Sequence, residues 1–116
     1  MITRDDVERF LSEFHTKMKV FGVFFLDDRE KNYQTLADLE ITATYRKKVL
    51  GELVAEDYSE GPILDALYSM GLMWVFGKVV MGKEVYIKIT LGRPGSTTIC
   101  ISFHQAEYRM HYPLKQ

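Results

Sequence analysis

Residues 84–91 read Glu-Val-Tyr-Ile-Lys-Ile-Thr-Leu, and residues 98–104 read Thr-Ile-Cys-Ile-Ser-Phe-His. Apolar and polar side chains alternate in both stretches, which is typical of β-strands with one buried face. Gly92-Arg93-Pro94-Gly95-Ser96 between them is a loop signal, so the two stretches predict an antiparallel hairpin. The residues expected on its apolar face are Val85, Ile87, Ile89 and Leu91 from the first strand and Ile99, Ile101 and Phe103 from the second.

The polar face of this hairpin depends on how the two strands are paired, because opposed residues share a face. The simplest pairing sets Tyr86 opposite His104, Lys88 opposite Ser102, and Thr90 opposite Cys100. A slip of two residues would pair Tyr86 with Ser102 instead. Both pairings bring a phenol, an ammonium group, a hydroxyl and an imidazole to the same face.

These four groups suit the cleavage of a phosphodiester without a metal ion. An imidazole side chain can donate or accept a proton near neutral pH, and His104 supplies one here. Lys88 supplies a positive charge for a phosphate, and the hydroxyl of Tyr86 can donate a hydrogen bond or a proton. The same pattern also fits the ordinary solvated face of a two-sided antiparallel sheet.

The rest of the chain predicts helices followed by a further strand. Thr3 can cap a helix whose apolar stripe begins at Val7. The other predicted elements are a buried strand over 20–26, a helix over 31–39, a third helix with Val49 and Leu50 inside and Arg46, Lys47 and Lys48 outside, a break at Gly61-Pro62, and a strand over 73–81. We therefore expect an α+β fold in which N-terminal helices pack on an antiparallel sheet.

Composition sets further bounds. The chain has 116 residues, of which 47% are apolar and 27% are charged, as in an ordinary globular domain, so we expect one domain over 1–116. A lone cysteine, Cys100, excludes an internal disulfide framework and a multi-cysteine zinc motif. No apolar run approaches the roughly 18–20 residues of a membrane span, and the acidic N-terminus lacks the apolar core of a signal peptide. We expect a cytoplasmic protein with no membrane contact.

Charge is unevenly distributed along the chain. Residues 1–60 hold nine basic and thirteen acidic residues, a net charge of −4, whereas residues 61–116 hold six and three, a net charge of +3. The sequence pI of about 6.3 is far below the roughly 9 that is typical of strongly basic nucleic-acid-binding domains. Any contact with nucleic acid is therefore expected to be local, and Tyr108 and Tyr112 are candidates for stacking on a base.

A metal site is an alternative that the sequence leaves open. His104, Glu107 and His111 have the spacing that would place three ligands on one helix face. His104 ends a predicted strand, however, and Pro113 closes the segment early. We therefore expect no metal and no cofactor.

The hairpin resembles a known family. The segments Met81 to Thr90 and Ile99 to His104 are similar to the C-terminal hairpin of the MqsR (motility quorum-sensing regulator) toxins, which read roughly G-x-V-Y-L-K-I-T and V-S-F-K. Leu53-Val54-Ala55-Glu56-Asp57-Tyr58 is similar to the family's L-x-x-x-D-F stretch. The resemblance covers roughly Leu36 to His104, with a gap around residues 61–72.

This resemblance implies a RelE-like α+β fold and a toxin of a type II toxin–antitoxin system. Such a toxin is an endoribonuclease, or mRNA interferase, that cleaves messenger RNA without metal. The 2′-hydroxyl of the substrate attacks the adjacent phosphate, leaving a 2′,3′-cyclic phosphate and a 5′-hydroxyl. A cognate antitoxin protein binds the toxin and neutralises it.

The resemblance also implies roles for particular residues. Tyr86 matches the family's strand tyrosine, Lys88 matches the lysine two residues later, and His104 stands where the family has a lysine after Ser-Phe. Lys78 is a fourth candidate catalytic residue if a bulge at Gly77 turns it to the polar face. The expected RNA-binding residues are Arg93, Ser102, Tyr108 and Arg109.

Two positions depart from the family pattern. Glu60 falls near the family's active-site lysine, and Val75 falls near its glutamine. These departures keep a second hypothesis open, in which the chain is a non-catalytic module that retains only an antitoxin-binding surface. Homodimer formation is also left open.

Overall fold

Three helices pack on a five-stranded sheet in the computed structural model, which describes residues 1–27, 30–64 and 71–115. The elements in chain order are α1 (Arg4–Phe21), β1 (Val23–Phe25), α2 (Glu30–Leu39), α3 (Tyr45–Gly51), a 3₁₀ turn (Ala55–Asp57), β2 (Tyr58–Leu64), β3 (Leu72–Val80), β4 (Lys83–Thr90) and β5 (Thr98–Gln105). The predicted α+β class is confirmed. Among the described helices, none is long and apolar enough to cross a membrane.

The sheet is mixed, so the prediction of an antiparallel sheet is wrong at one edge. The strand order is β1-β5-β4-β3-β2, in which β2 to β5 pair antiparallel. β1 runs parallel to β5, with Val23 opposite Thr98. These two strands are far apart in the sequence, and no turn signal between them reveals their relative direction.

The first helix confirms its predicted start and runs further than expected. The Thr3 side chain and the Asp6 carboxylate form a capping box at its beginning. Phe10 on its buried face stacks on Trp74 of β3, with ring centroids 4.6 Å apart. The helix continues to Phe21 and ends at Gly22, whose φ of 88° is in the left-handed region. The predicted buried strand over 20–26 is therefore reduced to the three-residue edge strand β1.

Arg46 lies inside the protein, not on the outer face of α3 as predicted. Its side chain is 2% exposed and donates two hydrogen bonds to the Asp27 carboxylate, at 2.6 and 2.9 Å. Its guanidinium also lies 3.8 Å from the ring centroid of Phe25. The burial of this charge is tolerated because the bidentate ion pair replaces water.

The predicted break at Gly61-Pro62 is also wrong, because both residues lie within β2. This strand pairs with β3 through an irregular register that shifts on either side of Glu60. The irregularity accommodates the glycine and the proline near the edge of the sheet.

A bulge in β5 changes which of its residues face the helices. Lys88 pairs with Ser102, but the next residue, Ile89, pairs with Cys100, so Ile101 is an extra residue. The expected pairing of Thr90 with Cys100 is therefore wrong, and Thr90 lies opposite Ile99 instead. Cys100 belongs to the hydrophobic core and is 1% exposed, although the alternation predicted it on the polar face.

β1 pairs only with the first part of β5, and two side chains of α2 cover the same edge of β5 after Cys100. The amide of Asn32 donates to the carbonyls of Leu26 and Ile101 and accepts from the N–H of Phe103, at 2.9 to 3.0 Å. The hydroxyl of Thr35 accepts from the N–H of Gln105 at 3.1 Å. These side chains take the place of a neighbouring strand and satisfy the backbone groups around the bulge.

Replacing Asn32 by alanine is expected to destabilise the fold by about 2–4 kcal/mol, because it leaves buried backbone groups of β5 without partners. Urea unfolding measures this change. Gln34→Ala on the exposed side of the same helix is the matched control, with an expected change within about 0.5 kcal/mol. Equal effects of the two substitutions would contradict this account of the β5 edge.

Burial of Cys100 makes a second test possible. Burial raises the pKa of its thiol above the ordinary value, so the reactive thiolate is not formed at neutral pH. We expect the native protein to be inert to a thiol reagent at pH 8 and the urea-unfolded protein to react fully. Rapid reaction of the native thiol would place Cys100 on the open face and contradict the bulge.

Candidate functional site

Tyr86 and His104 lie directly opposite each other across β4 and β5, on the sheet face turned away from the helical core. Their rings are stacked, with centroids 5.1 Å apart and planes inclined by 12°. Both side chains are half-buried. The predicted neighbour relation of these two residues is confirmed.

The next pair along the hairpin is Lys88 and Ser102. The ammonium nitrogen of Lys88 lies 5.9 Å from the ring centroid of Tyr86, within the range of a cation–π interaction. Ser102 is 1% exposed, so it belongs to the floor of the site and offers little surface to a ligand.

These residues line an open cleft of about 410 Å³. Tyr108 and Arg109, from the chain that follows β5, form part of its wall. Tyr108 is 84% exposed, so its ring is presented to solvent at the rim. The sequence-predicted residues that share this cleft are Tyr86, Lys88, Ser102, His104, Tyr108 and Arg109.

Charge in the cleft is mixed, with Lys88 and Arg109 opposed by Glu60 and Glu107. Lys31 of α2 forms an ion pair with Glu107. The hydrogen bond from Lys31 lowers the pKa of Glu107 below its ordinary value, which keeps this carboxylate ionised and paired. Lys88 and Arg109 then outweigh the one remaining carboxylate, that of Glu60.

The imidazole of His104 is held in one orientation. Its Nδ1 lies 3.0 Å from the carbonyl oxygen of Gln105. A carbonyl can only accept, so Nδ1 carries the proton in the neutral ring and Nε2 has the lone pair. His104 therefore has the tautomer of a general base that acts through Nε2.

Lys78 lies on the other face of the sheet, so the structure does not bring it to the cleft. β3 and β4 pair without a shift from Met73 to Val80, and Lys78 lies opposite the core residue Val85. Its ammonium group contacts the Asp57 carboxylate at 3.2 Å. The bulge at Gly77 that would turn Lys78 to the polar face is not formed, and the ion pair with Asp57 lies on the helical side.

Arg93 lies in the loop that joins β4 to β5, away from Tyr86. Thr90, the last residue of β4, lies four positions after Tyr86, a distance of about 13 Å along the strand. The loop is tied instead to α1, because Lys17 donates to the carbonyls of Leu91 and Arg93.

Sequence reasoning missed part of the cleft wall. Ser59, Ala106 and Met110 line it, as does Glu107, which the sequence suggests only as a metal ligand. These residues lie on the irregular β2 strand or after β5, where no periodicity marks a face. The helix required by the metal alternative is not formed after His104, and the described residues hold no group of three His, Cys, Asp or Glu side chains that could bind a metal.

Comparison with known proteins gives no relative. No protein-family model, curated protein or solved structure matches this chain.

The two histidines of known orientation should show opposite tautomers. Nε2 of His15 lies 2.8 Å from the Leu50 carbonyl, so it carries the proton there, whereas His104 carries it on Nδ1. Long-range ¹H–¹⁵N spectra of the neutral rings distinguish the two forms. A proton on Nε2 of His104 would contradict the site geometry.

Proposed function

We propose that the chain is an endoribonuclease that cleaves RNA by attack of the substrate's own 2′-hydroxyl on the adjacent phosphate. The observation that carries this proposal is the stacked pair of Tyr86 and His104, which presents a phenol and an imidazole to one cleft beside Lys88. General acid–base groups and a positive charge are what this reaction needs.

In this proposal each residue of the cleft has a separate role. His104, with its lone pair on Nε2, takes the proton of the 2′-hydroxyl as that oxygen attacks phosphorus. Tyr86 donates a proton to the leaving 5′-oxygen, so one P–O bond forms as another breaks. Lys88 stabilises the additional negative charge on the phosphoryl oxygens, a contribution of a few kcal/mol for a well-placed group.

We further propose that the chain is a RelE-like toxin related to the MqsR family, neutralised by a cognate antitoxin. Tyr86, Lys88 and His104 correspond to residues of the MqsR pattern, and their position in one cleft supports this proposal. It implies a cytoplasmic location, because the substrate is messenger RNA.

The two departures from the family pattern adjoin the same cleft. Glu60 lies opposite Val75 in β2 and β3, and Val75 lies opposite Lys88 in β4. A positive charge missing at Glu60 can be supplied by Arg109, which reaches the cleft from the chain after β5. Arg109 therefore replaces Lys78 as the second cation of the proposed site.

The proposal predicts cleavage of mixed single-stranded RNA by the purified protein in the presence of EDTA. The products should carry 2′,3′-cyclic phosphate and 5′-hydroxyl ends, and DNA of the same sequence should stay intact. His104→Ala should lower the rate by roughly 10²- to 10⁴-fold, and Tyr86→Phe by at least about tenfold.

Tyr33→Phe, which removes the hydroxyl of an exposed tyrosine on α2, is the matched control and should cleave like the wild type. The site assignment fails if His104→Ala and Tyr86→Phe retain wild-type rates.

The carboxylate of Glu60 in the cleft favours a second candidate, a non-catalytic relative that keeps only its antitoxin-binding surface. Expression in cells separates the two functions. The nuclease should arrest growth, and His104→Ala should relieve the arrest. A wild-type protein that neither arrests growth nor cuts RNA would support the binding module.

A further inference from the structure

The loop of residues 106–110, called here the 106–110 loop, is held at both ends by one residue of β4. The backbone carbonyl of Glu84 accepts a hydrogen bond from the N–H of Ala106 at 2.8 Å. Its carboxylate accepts from the N–H of Met110 at 3.1 Å and from the hydroxyl of Tyr112 at 2.6 Å. The chain enters and leaves the loop through contacts with Glu84.

The exit of this loop packs directly on the backbone of β3. Gly77 lies opposite Tyr86, and a Cβ atom at Gly77 would come within 2.3 Å of the Tyr112 hydroxyl and 2.8 Å of the Met110 sulfur. The absence of a side chain at this position therefore lets Met110 and Tyr112 lie against the sheet beside Tyr86 and His104.

A third contact, an ion pair at the protein surface, lies in the middle of the loop. Glu107 pairs with Lys31 of α2, which in turn packs along β5. Tyr108 and Arg109 follow this contact, and both are exposed at the cleft. Because Glu84 holds both ends of the loop, its backbone loses less conformational entropy on binding a ligand than that of an unrestrained loop.

We propose that the 106–110 loop is a preorganised clamp for single-stranded RNA, with Glu84 as its positioning residue. The inference rests on the proposed function, because it assumes that the cleft receives RNA. Tyr108 stacks on a base next to the cleaved phosphate, and Arg109 pairs with a backbone phosphate. The faces of bases are accessible in a single strand and covered in a duplex, so the clamp selects unpaired RNA.

The clamp is tested with a 2′-O-methylated oligoribonucleotide, which cannot be cut because it has no free 2′-hydroxyl. Fluorescence anisotropy should show tighter binding of this single strand than of a duplex of the same sequence. Tyr108→Ala should weaken the binding about tenfold. Tyr33→Ala, which removes another exposed tyrosine, should leave it unchanged.

Two substitutions release the loop without removing a ligand contact. Glu84→Ala removes the carboxylate that holds Met110 and Tyr112, and Gly77→Ala pushes the same two side chains off the sheet. Each should weaken binding about tenfold and increase amide hydrogen exchange over residues 106–112, whereas Glu13→Ala on α1 should change neither. If Glu84→Ala fails to fold, Gly77→Ala decides the question, because the atoms that its Cβ would meet are ends of flexible side chains.

The outcomes separate the clamp from the nuclease. Faster exchange with unchanged affinity in Gly77→Ala and Glu84→Ala overturns the clamp, even if the wild type cleaves RNA. Equal affinity for single strand and duplex, or no binding by the wild type, also overturns it. Binding that these variants weaken supports the clamp, even if the wild type cuts no RNA and the nuclease proposal fails.

Discussion

The geometry of the sheet face that carries Tyr86 and His104 depends on the hydrogen bonds of the Asn32 side-chain amide. This amide holds the carbonyl of Ile101 and the N–H of Phe103 in β5, the two backbone groups on either side of Ser102. A β-bulge leaves an extra residue without a regular partner, and such a distortion needs its backbone groups satisfied from elsewhere. Because Asn32 satisfies them from α2, β5 resumes its pairing with β4 after the bulge, and His104 arrives opposite Tyr86.

The cleft combines two parts of the chain that are organised differently. The floor comes from β4 and β5, where backbone pairing fixes Tyr86 and His104 relative to each other. The wall that contains Tyr108 comes from an irregular segment, which takes its position from contacts with Glu84 and Lys31. The floor can therefore keep its geometry when the contacts that hold the wall change.

The sequence predicted the hairpin and the opposition of Tyr86 and His104 because alternation and a short loop are local signals. It did not predict the position of Cys100, since isoleucines on both sides of this small apolar residue fit either face of a strand. Arg46 and Lys78 were misplaced for another reason. Arg46 is buried with Asp27, and Lys78 stays on the helical side with Asp57, each partner about twenty residues away in the chain. Ion pairs between such distant residues leave no periodic pattern in the sequence.

Both edges of the sheet limit how another protein can associate with it. The edge strand β1 has only three residues. Beyond it, the side chains of Asn32 and Thr35 from α2 already bind the backbone N–H groups of β5. At the opposite edge, β2 contains Pro62, which has no N–H to donate. Neither edge is suited to the addition of a long foreign strand, which also protects the chain from open-ended self-association. Association through side chains on the faces of this domain is therefore favoured over strand addition at its edges.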